Sequence, residues 1–526
     1  MTERIVRGRP DVEGRRIVLP PAEGCALVIF GVTGDLTRRK LMPSLWRLHR
    51  ERCFDPCFRI LGVGRETLSD DAFRASMRAA VEEFSDPPPD AAEWEEFACR
   101  LHYLDADLTR DAAYEALAER LSDLGAGDPR LGNHLFYFAV PPSLAPRIVR
   151  GLESVDLIGQ GSGWTRIVVE KPFGRDLDSA RELNREIRRV FDESQVYRID
   201  HFLGKETVQN ILTFRFGNML YEPIWNRNYV EFVEITAAES IGIEERGAFY
   251  DGTGALRDMV ANHLLQLLTL TAMEPPVAYD AESVREEKVQ VLRSVGALST
   301  DEVAARVVRG QHGAGTIDGE PVVGYREIEG VGPESATETF VALDLRIENW
   351  RWAGVPFYVR TGKRLARTVT EIAVHFKRTP HSIFRHTDAA VEPNVLVLRF
   401  KPDEGIGVTF SAKVPGEGMR TSTVRMDFDY EEAFGVELPD AYETLLLDAM
   451  QGDQMLFTRA DEAEAQWRVV APILEAWESG PPEELPIYPA GSEGPDEAAE
   501  LPARAGHAWR PLAGADETKP ADGAQS

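Results

Sequence analysis

Residues 26–36 of the chain read ALVIFGVTGDL, and this stretch decides the fold. A short apolar run, typical of a buried strand, ends at Gly31 and Gly34, and leucines spaced along one helical face follow from Leu36 to Leu48. A strand, a glycine turn and a helix in this order let the backbone approach a pyrophosphate, which the N–H groups at the helix start can bind. The spacing is GxxGD rather than GxGxxG, so an ordinary strand–helix turn is the alternative interpretation.

Short buried strands and helices continue to alternate along the first 200 residues. This alternation is typical of an α/β domain with a doubly wound parallel sheet. We therefore predict a Rossmann-like dinucleotide-binding domain over residues 24–199, preceded by a polar lead-in over residues 1–23. The predicted strands cover residues 58–63, 135–140 and 166–170, and the predicted helices cover residues 70–84, 111–124 and 177–191.

Beyond residue 200 several alternating segments follow one another without intervening helices. This pattern predicts a larger α+β domain over residues 200–510, with helices packed on a mostly antiparallel sheet. Residues 511–526 are predicted to be a disordered tail. The predicted strands cover residues 229–237, 338–348, 371–376, 394–400, 407–412 and 421–428, and the predicted helices cover residues 205–214, 256–272, 439–457 and 461–477.

The composition excludes several classes of partner. Among 526 residues, 87 Asp and Glu outnumber 59 Lys and Arg, so the net charge is −28. Such a surface repels nucleic acid and anionic membranes, and a phosphate site must concentrate cations locally. No apolar run reaches the roughly 18–20 residues of a membrane span, and the first 20 residues lack a signal peptide's apolar region. We expect a cytoplasmic protein whose four cysteines are free thiols.

Two basic motifs indicate phosphate ligands. Arg65 follows the second predicted strand, where an arginine suits the 2′-phosphate of NADP, although the neighbouring Glu66 weakens this signal. In RIDHFLGKE (198–206), His201 and Lys205 stand four residues apart and could grip a phosphate from two sides. Exposed surface side chains are the alternative interpretation for both motifs.

Two further segments carry candidate catalytic groups. The apolar helical segment RDMVANHLLQ (257–266) contains His263, which on this pattern alone is more often a hydrogen-bonded core residue than a catalyst. The segment RWAGVPFYVRTGK (351–363) ends a strand in a turn at Lys363, with arginines nearby. This cluster favours an anionic partner, and a surface ion-pair network is the alternative.

Taken together, these segments resemble the bacterial type of the glucose-6-phosphate dehydrogenase family over about residues 24–510. GVTGDLTRRKLMPSLW, EKPFG, RIDHFLGKETVQNIL, RDMVANHLLQ and RWAGVPFYVRTGK all occur in the family's order and spacing. The resemblance implies oxidation of β-D-glucose 6-phosphate to 6-phosphoglucono-1,5-lactone with hydride transfer to NADP, NAD being a weaker alternative. It also implies the first step of the oxidative pentose phosphate pathway and a homodimer or homotetramer. Substrate binding, catalysis and oligomerisation are then expected of the domain over residues 200–510.

The resemblance also implies roles for individual residues. His263 matches the general base and Asp200 the carboxylate that orients it, and no metal is expected. The implied substrate contacts are His201 and Lys205 for the phosphate, Glu239 and Asp258 for sugar hydroxyls, and Lys171 and Lys363. The implied cofactor contacts are Gly31, Thr33, Gly34, Asp35, Leu36, Arg65 and Lys171.

Three positions depart from the family's pattern. Phe202 stands where many members have Tyr, and Thr368 stands where a basic residue is common, with Arg367 one position away. Lys401 stands where Gln is frequent near the substrate. Each departure affects one substrate contact rather than the reaction. A non-catalytic, cofactor-sensing protein is the second hypothesis, and the presence of Lys171, Asp200 and His263 argues against it.

Overall fold

In the computed structural model the chain forms two compact units, each built around its own sheet. The first unit contains Met1–Glu206, Pro276–Glu286 and Val436–Glu464, and the second contains Thr207–Pro275, Glu287–Gly435 and Ala465–Ser526. The structure describes residues 9–10, 16–17, 21–126, 128–159, 163–243, 246–384, 391–435, 438–480 and 485–512. Of the predicted lead-in the structure describes only residues 9–10, 16–17 and 21–23, and of the predicted tail only residues 511–512.

The first unit contains the predicted doubly wound sheet. The strand Ala26–Phe30 is fully buried and lies between two parallel neighbours. Leu27 and Ile29 join one apolar core, and Val28 and Phe30 join another, because successive side chains of a strand point to opposite faces. In spatial order the strands are Phe457–Thr458, Val196–Ile199, Thr165–Val169, His134–Phe138, Ala26–Phe30, Arg59–Gly64 and Leu101–Asp105, and only the first pair is antiparallel.

The helices of the first unit cover these strands. Asp70–Phe84 matches its predicted bounds, and the Ser69 side chain accepts a hydrogen bond from the Ala72 N–H at its start. The other α-helices are Met42–Arg50, Ala91–Ala98, Ala112–Gly125, Ala145–Ser154, Leu177–Arg188 and Ala441–Gln451, with a π-helical turn at Thr37–Leu41 and 3₁₀ turns at Pro129–Gly132, Pro142–Leu144 and Glu193–Gln195.

Residues 436–464, which the sequence assigned to the second domain, pack with the first unit. The cause is the apolar face of Ala441–Gln451, whose Leu445 and Met450 belong to the same core as Trp46. This helix is shorter than the predicted 439–457 because it ends at Gly452, which has a φ of +88°.

The second unit contains a nine-stranded, mostly antiparallel sheet, as predicted. Its strands Val230–Ala238 and Pro356–Gly362 run parallel, so their carboxyl ends meet at one edge. In spatial order the strands are Thr421–Asp429, Gly405–Lys413, Val395–Lys401, Val369–Phe376, Val230–Ala238, Pro356–Gly362, Phe340–Arg346, Val307–His312 and Ile487–Tyr488. A separate hairpin joins Gly315–Ile317 and Glu320–Val322.

The helices of the second unit include an uncommon π-helix, Leu256–Leu264, which continues as the α-helix Leu265–Ala272. Other helical segments are Gly247–Asp251, Thr300–Arg306, Tyr430–Phe434 and Asp496–Ala503, with 3₁₀ turns at Glu222–Ile224 and Tyr325–Glu327. Helices Glu206–Phe216, Ala281–Ser294 and Ala460–Ser479 contain points at which the chain passes from one unit to the other.

The four cysteines are free thiols, as the sequence predicts. Within the part of the chain that the structure describes, no helix combines the length and the apolar character that a membrane span requires.

Candidate active site

The glycine turn of the first unit forms a close-fitting cradle. Gly31 has a φ of +80°, and a Cβ there would lie 2.3 Å from the Ala139 carbonyl oxygen. Gly34 donates its N–H to the Gly31 carbonyl at 3.0 Å, and helical structure begins at Asp35 and Leu36. Gly34 and Asp35 are exposed, and Thr33 is half-buried. The start of a helix carries partial positive charge that suits a pyrophosphate, so a glycine turn that opens a helix fits a dinucleotide.

Arg65 stands directly after the strand Arg59–Gly64, which neighbours Ala26–Phe30 in the sheet. Its side chain is exposed, and so is that of Glu66. The Glu66 carbonyl accepts a hydrogen bond from the Tyr103 hydroxyl at 2.6 Å, which fixes the backbone beside Arg65. A guanidinium at this strand end is available to an anionic group on a bound dinucleotide.

Lys171 follows the strand Thr165–Val169 and is joined to Pro172 by a cis peptide bond. The preceding Glu170 accepts hydrogen bonds from the hydroxyls of Tyr137 and Tyr442. Burial raises the pKa of Glu170, although both tyrosines and Lys171 act in the opposite direction. Two tyrosines therefore hold the backbone position from which the Lys171 side chain extends.

The segment from Asp200 to Lys205 follows the strand Val196–Ile199 as a tight turn. Asp200 is 2% exposed, and one of its carboxylate oxygens accepts the Phe202 N–H at 3.0 Å. The Lys205 ammonium lies 4.2 Å from the centre of the Phe202 ring, an attractive cation–π contact. His201 stacks parallel to Tyr442 with ring centres 6.4 Å apart. Aromatic contacts thus support both predicted phosphate ligands.

The second unit brings three predicted residues together. Glu239 and Lys363 each follow one of the two parallel strands, where Ala238 pairs with Gly362. The Lys363 Nζ forms an ion pair with Glu239 and lies 3.5 Å from a carboxylate oxygen of Asp258. The lysine side chain is only 5% exposed, whereas those of Glu239 and Asp258 are 27% and 20% exposed. The buried Lys363 ammonium therefore holds the carboxylates of Glu239 and Asp258 in place, while both carboxylates remain partly exposed to solvent.

His263 and Asp258 share the π-helix Leu256–Leu264. In a π-helix residue i is hydrogen-bonded to residue i+5. Asp258 and His263 are five residues apart, so they lie on the same side of the helix, one turn from each other. His263 is 1% exposed. The buried Glu338 accepts the Leu256 N–H at 3.0 Å, and a Cβ on Gly254 would lie 2.4 Å from the same carboxylate. Glu338 thereby anchors the start of the helix that carries both residues.

The structure shows what surrounds the three positions that depart from the family pattern. Phe202 is buried and supports Lys205, as described above. The Thr368 hydroxyl accepts the Ser240 N–H at 3.0 Å, next to Glu239. Arg367 lies 3.8 Å from a carboxylate oxygen of Asp403, and Lys401 is exposed at the end of its strand.

Sequence reasoning missed the residues that support the site. Glu170 lies inside the quoted motif EKPFG and could have been noticed beside Lys171. No local signal indicates Tyr137, Tyr442 or Glu338, because each meets its partner through chain packing rather than through spacing. Tyr250 is a further case, since its buried ring lies 5.6 Å from the Lys363 Nζ.

Comparisons with known proteins agree with this geometry. A family profile described as "Glucose-6-phosphate dehydrogenase, NAD binding domain" matches residues 28–210, and one described as "Glucose-6-phosphate dehydrogenase, C-terminal domain" matches residues 212–510. The chain is 48% identical over 489 residues to a glucose-6-phosphate 1-dehydrogenase of Aggregatibacter actinomycetemcomitans, covering 93% of this chain and 98% of that protein.

Two solved structures are similar over almost the whole chain. One is a glucose-6-phosphate dehydrogenase in complex with its substrate glucose 6-phosphate, with a TM-score of 0.85 and 35% identity, covering 94% of this chain and 100% of that one. The other is a glucose-6-phosphate 1-dehydrogenase from Mycobacterium avium, with a TM-score of 0.80 and 39% identity, covering 93% and 98%.

Proposed function

Because the chain belongs to the glucose-6-phosphate dehydrogenase family, we infer that it oxidises β-D-glucose 6-phosphate to 6-phosphoglucono-1,5-lactone. It is an oxidoreductase, and this reaction opens the oxidative pentose phosphate pathway. When bound, the nicotinamide dinucleotide accepts the hydride from the anomeric carbon. The observation that carries the assignment is the group of Lys363, Glu239 and Asp258, which the π-helix connects to the buried His263.

We propose that the dinucleotide is NADP and that the first unit binds it. The turn formed by Gly31, Thr33, Gly34, Asp35 and Leu36 supports this proposal, because it opens a helix and the positive end of the helix dipole stabilises a pyrophosphate. The exposed Arg65 would donate to the 2′-phosphate, which NAD lacks. NAD is the weaker alternative.

His201 and Lys205 are proposed to bind the substrate's phosphate. Their support is chemical, since a protein with a net charge of −28 must place cations locally where it binds a dianion. The ring contacts of His201 with Tyr442 and of Lys205 with Phe202 hold both side chains in defined positions. This pre-organisation reduces the entropy lost on binding.

His263 is proposed to accept the proton of the anomeric hydroxyl while the hydride leaves the same carbon. An imidazole suits this task near neutral pH. Asp200 is proposed to orient the imidazole and to stabilise it once protonated. The burial of both side chains supports these roles, because a water-poor setting strengthens the interaction between a carboxylate and an imidazolium.

The remaining predicted residues are proposed to position the sugar. Glu239 and Asp258 would accept hydrogen bonds from sugar hydroxyls, with Lys363 holding both carboxylates in place. Lys171 would contact substrate and dinucleotide together. The tyrosine-held Glu170 supports this role, since it fixes the neighbouring backbone.

We also propose that the protein is a homodimer or homotetramer, assembled through the large sheet of the second unit. The edge strand Thr421–Asp429 is mostly exposed, including the apolar side chains of Val424 and Met426, and Phe434 follows it at 40% exposure. An exposed apolar sheet edge favours association with another chain. Light scattering would measure the mass in solution.

Initial rates of dinucleotide reduction test the proposed function. Absorbance of the reduced dinucleotide is followed with glucose 6-phosphate or glucose, each with NADP or NAD. We expect the highest kcat/KM with glucose 6-phosphate and NADP. Equal rates with glucose would contradict the phosphate site, and no reduction in any of the four combinations would overturn the enzyme assignment.

A further inference from the structure

The segment that carries Glu239 is tied to the segment that follows Lys363. The Glu239 N–H donates to the Gly362 carbonyl at 3.0 Å, and the Glu239 carbonyl accepts from the Leu365 N–H at 3.0 Å. Two residues after Glu239, the Ile241 carbonyl accepts the Arg364 N–H at 3.2 Å. The backbone of Glu239 is therefore hydrogen-bonded to residues on both sides of Lys363, at Gly362 and Leu365.

Thr368 adds a side-chain bond to this arrangement. Its hydroxyl accepts the Ser240 N–H at 3.0 Å and lies 2.9 Å from the Ser240 Oγ. Thr368 directly precedes the strand Val369–Phe376, in which Val369 pairs with Ala238. Beyond this last backbone pair, the threonine hydroxyl continues the contact between the two segments and fixes the residue that follows Glu239.

We propose that Thr368 is a positioning residue for substrate binding, acting through Ser240 on Glu239. This inference rests on the proposed function, in which Glu239 accepts a hydrogen bond from a sugar hydroxyl. Lys363 holds the Glu239 carboxylate, while Thr368 holds the main chain beyond it. When both the ion pair with Lys363 and the hydrogen bond from Ser240 to Thr368 are present, the Glu239 carboxylate is held in a single position toward the sugar. Without the hydroxyl, the backbone at Ser240 gains freedom and the sugar contact weakens.

Replacement of Thr368 by valine removes the hydroxyl at nearly constant shape. Because one neutral hydrogen bond is lost and the carboxylate itself remains, we expect KM for glucose 6-phosphate to rise about 3- to 10-fold with kcat changed less than about twofold. Thr368→Ser keeps the hydroxyl and should restore KM. Thr409→Val is the matched control. The Thr409 hydroxyl accepts the Val395 N–H at 3.1 Å, so this variant removes a similar hydrogen bond elsewhere in the same sheet.

Glucose as an alternative substrate separates two explanations. If Thr368 acts through Glu239 on the sugar, Thr368→Val lowers kcat/KM for glucose and for glucose 6-phosphate in the same proportion. If the threonine contacts the phosphate directly, only the rate with glucose 6-phosphate falls, and the inference is overturned. Thr368→Ala serves as a second hydroxyl-free variant if the valine side chain prevents folding.

A double variant tests whether Glu239 mediates the effect. In a Glu239→Gln background, the further change Thr368→Val should lower kcat/KM by less than about twofold, because linked residues are not additive. A full 3- to 10-fold effect in that background, or an unchanged KM in the single variant, overturns the inference. A wild-type enzyme that reduces no dinucleotide with glucose 6-phosphate would instead overturn the proposed function, and this inference with it.

Discussion

Replacement of Lys363 by methionine should weaken the second unit through two uncompensated carboxylates. The side chain of Lys363 is 5% exposed, and its Nζ is shared by Glu239 and Asp258. Methionine keeps the apolar stem of the lysine but removes its charge. Both acids then face each other without a cation between them.

The size of the effect follows from the exposure of the partners. Removal of one member of a buried ion pair lowers the free energy of unfolding by about 3–5 kcal/mol, whereas a fully exposed pair contributes about 0.2–1 kcal/mol. Glu239 and Asp258 are 27% and 20% exposed, so water stabilises them in part. We expect a loss of about 2–3 kcal/mol, which lowers Tm by about 3–5 °C given the unfolding entropy of a unit as large as the second one.

Thermal unfolding followed by circular dichroism measures this loss. Lys377→Met is the matched control, because Lys377 is exposed and its Nζ donates to the Arg227 carbonyl at 2.6 Å. The control should move Tm by less than about 2 °C. Adding Glu239→Gln to Lys363→Met removes one of the two repelling charges and should recover part of the loss. A Lys363→Met variant as stable as the control, or strictly additive effects in the double variant, would refute the electrostatic reasoning.

Three further predictions concern the base, the cofactor and pH. His263→Asn should lower kcat by about 10²- to 10⁴-fold with little change in KM. His312→Asn replaces another buried histidine and should leave kcat unchanged. If the two variants have the same kcat, the assignment of His263 as the base is contradicted. Arg65→Ala should lower the ratio of kcat/KM for NADP to that for NAD by roughly 10- to 100-fold, and an effect no larger than that of the exposed Arg185→Ala would count against the 2′-phosphate contact. Burial, Asp453 and Glu206 raise the pKa of Asp448 to about 7. The folded state therefore holds a proton that the unfolded state releases near pH 4. As a result, the free energy of unfolding falls as the pH rises from about 4 to about 7. Asp448→Asn should therefore gain Tm relative to the wild type progressively from about pH 4 to about pH 7 and then level off, and a gain independent of pH would disprove this explanation.

Local signals predict those elements whose ends are set locally. The bounds of Asp70–Phe84 follow from the cap at Ser69 and from the Pro87 that comes shortly after the helix. The strand Leu101–Asp105 was not predicted, because it lies at a sheet edge and alternates buried and half-buried positions over only five residues. Residues 256–272 were predicted as one helix, but an apolar pattern does not reveal the π-helical bonding of the first nine residues.

The site shows the same division between local and long-range information. The family resemblance implied roles for Glu239 and Lys363, but their ion pair depends on the parallel register of Ala238 with Gly362, which is set by sheet assembly. Likewise, the contact of Tyr442 with Glu170 arises only because the helix Ala441–Gln451 packs into the first unit. Residue types in a motif are visible in the sequence, whereas the groups that orient them come from distant segments.

The late arrival of the helix Ala441–Gln451 has a consequence for biosynthesis. Its leucines complete the core around Trp46, yet they lie about 400 residues further along the chain. At a translation speed of about 5–20 residues per second, the ribosome delivers them about 20–80 s after Trp46. Throughout that interval the nascent chain exposes apolar surface that only its own later part can cover. We therefore expect chaperones to bind the newly made protein. Truncation before residue 441 would leave the apolar residues of that core exposed to solvent.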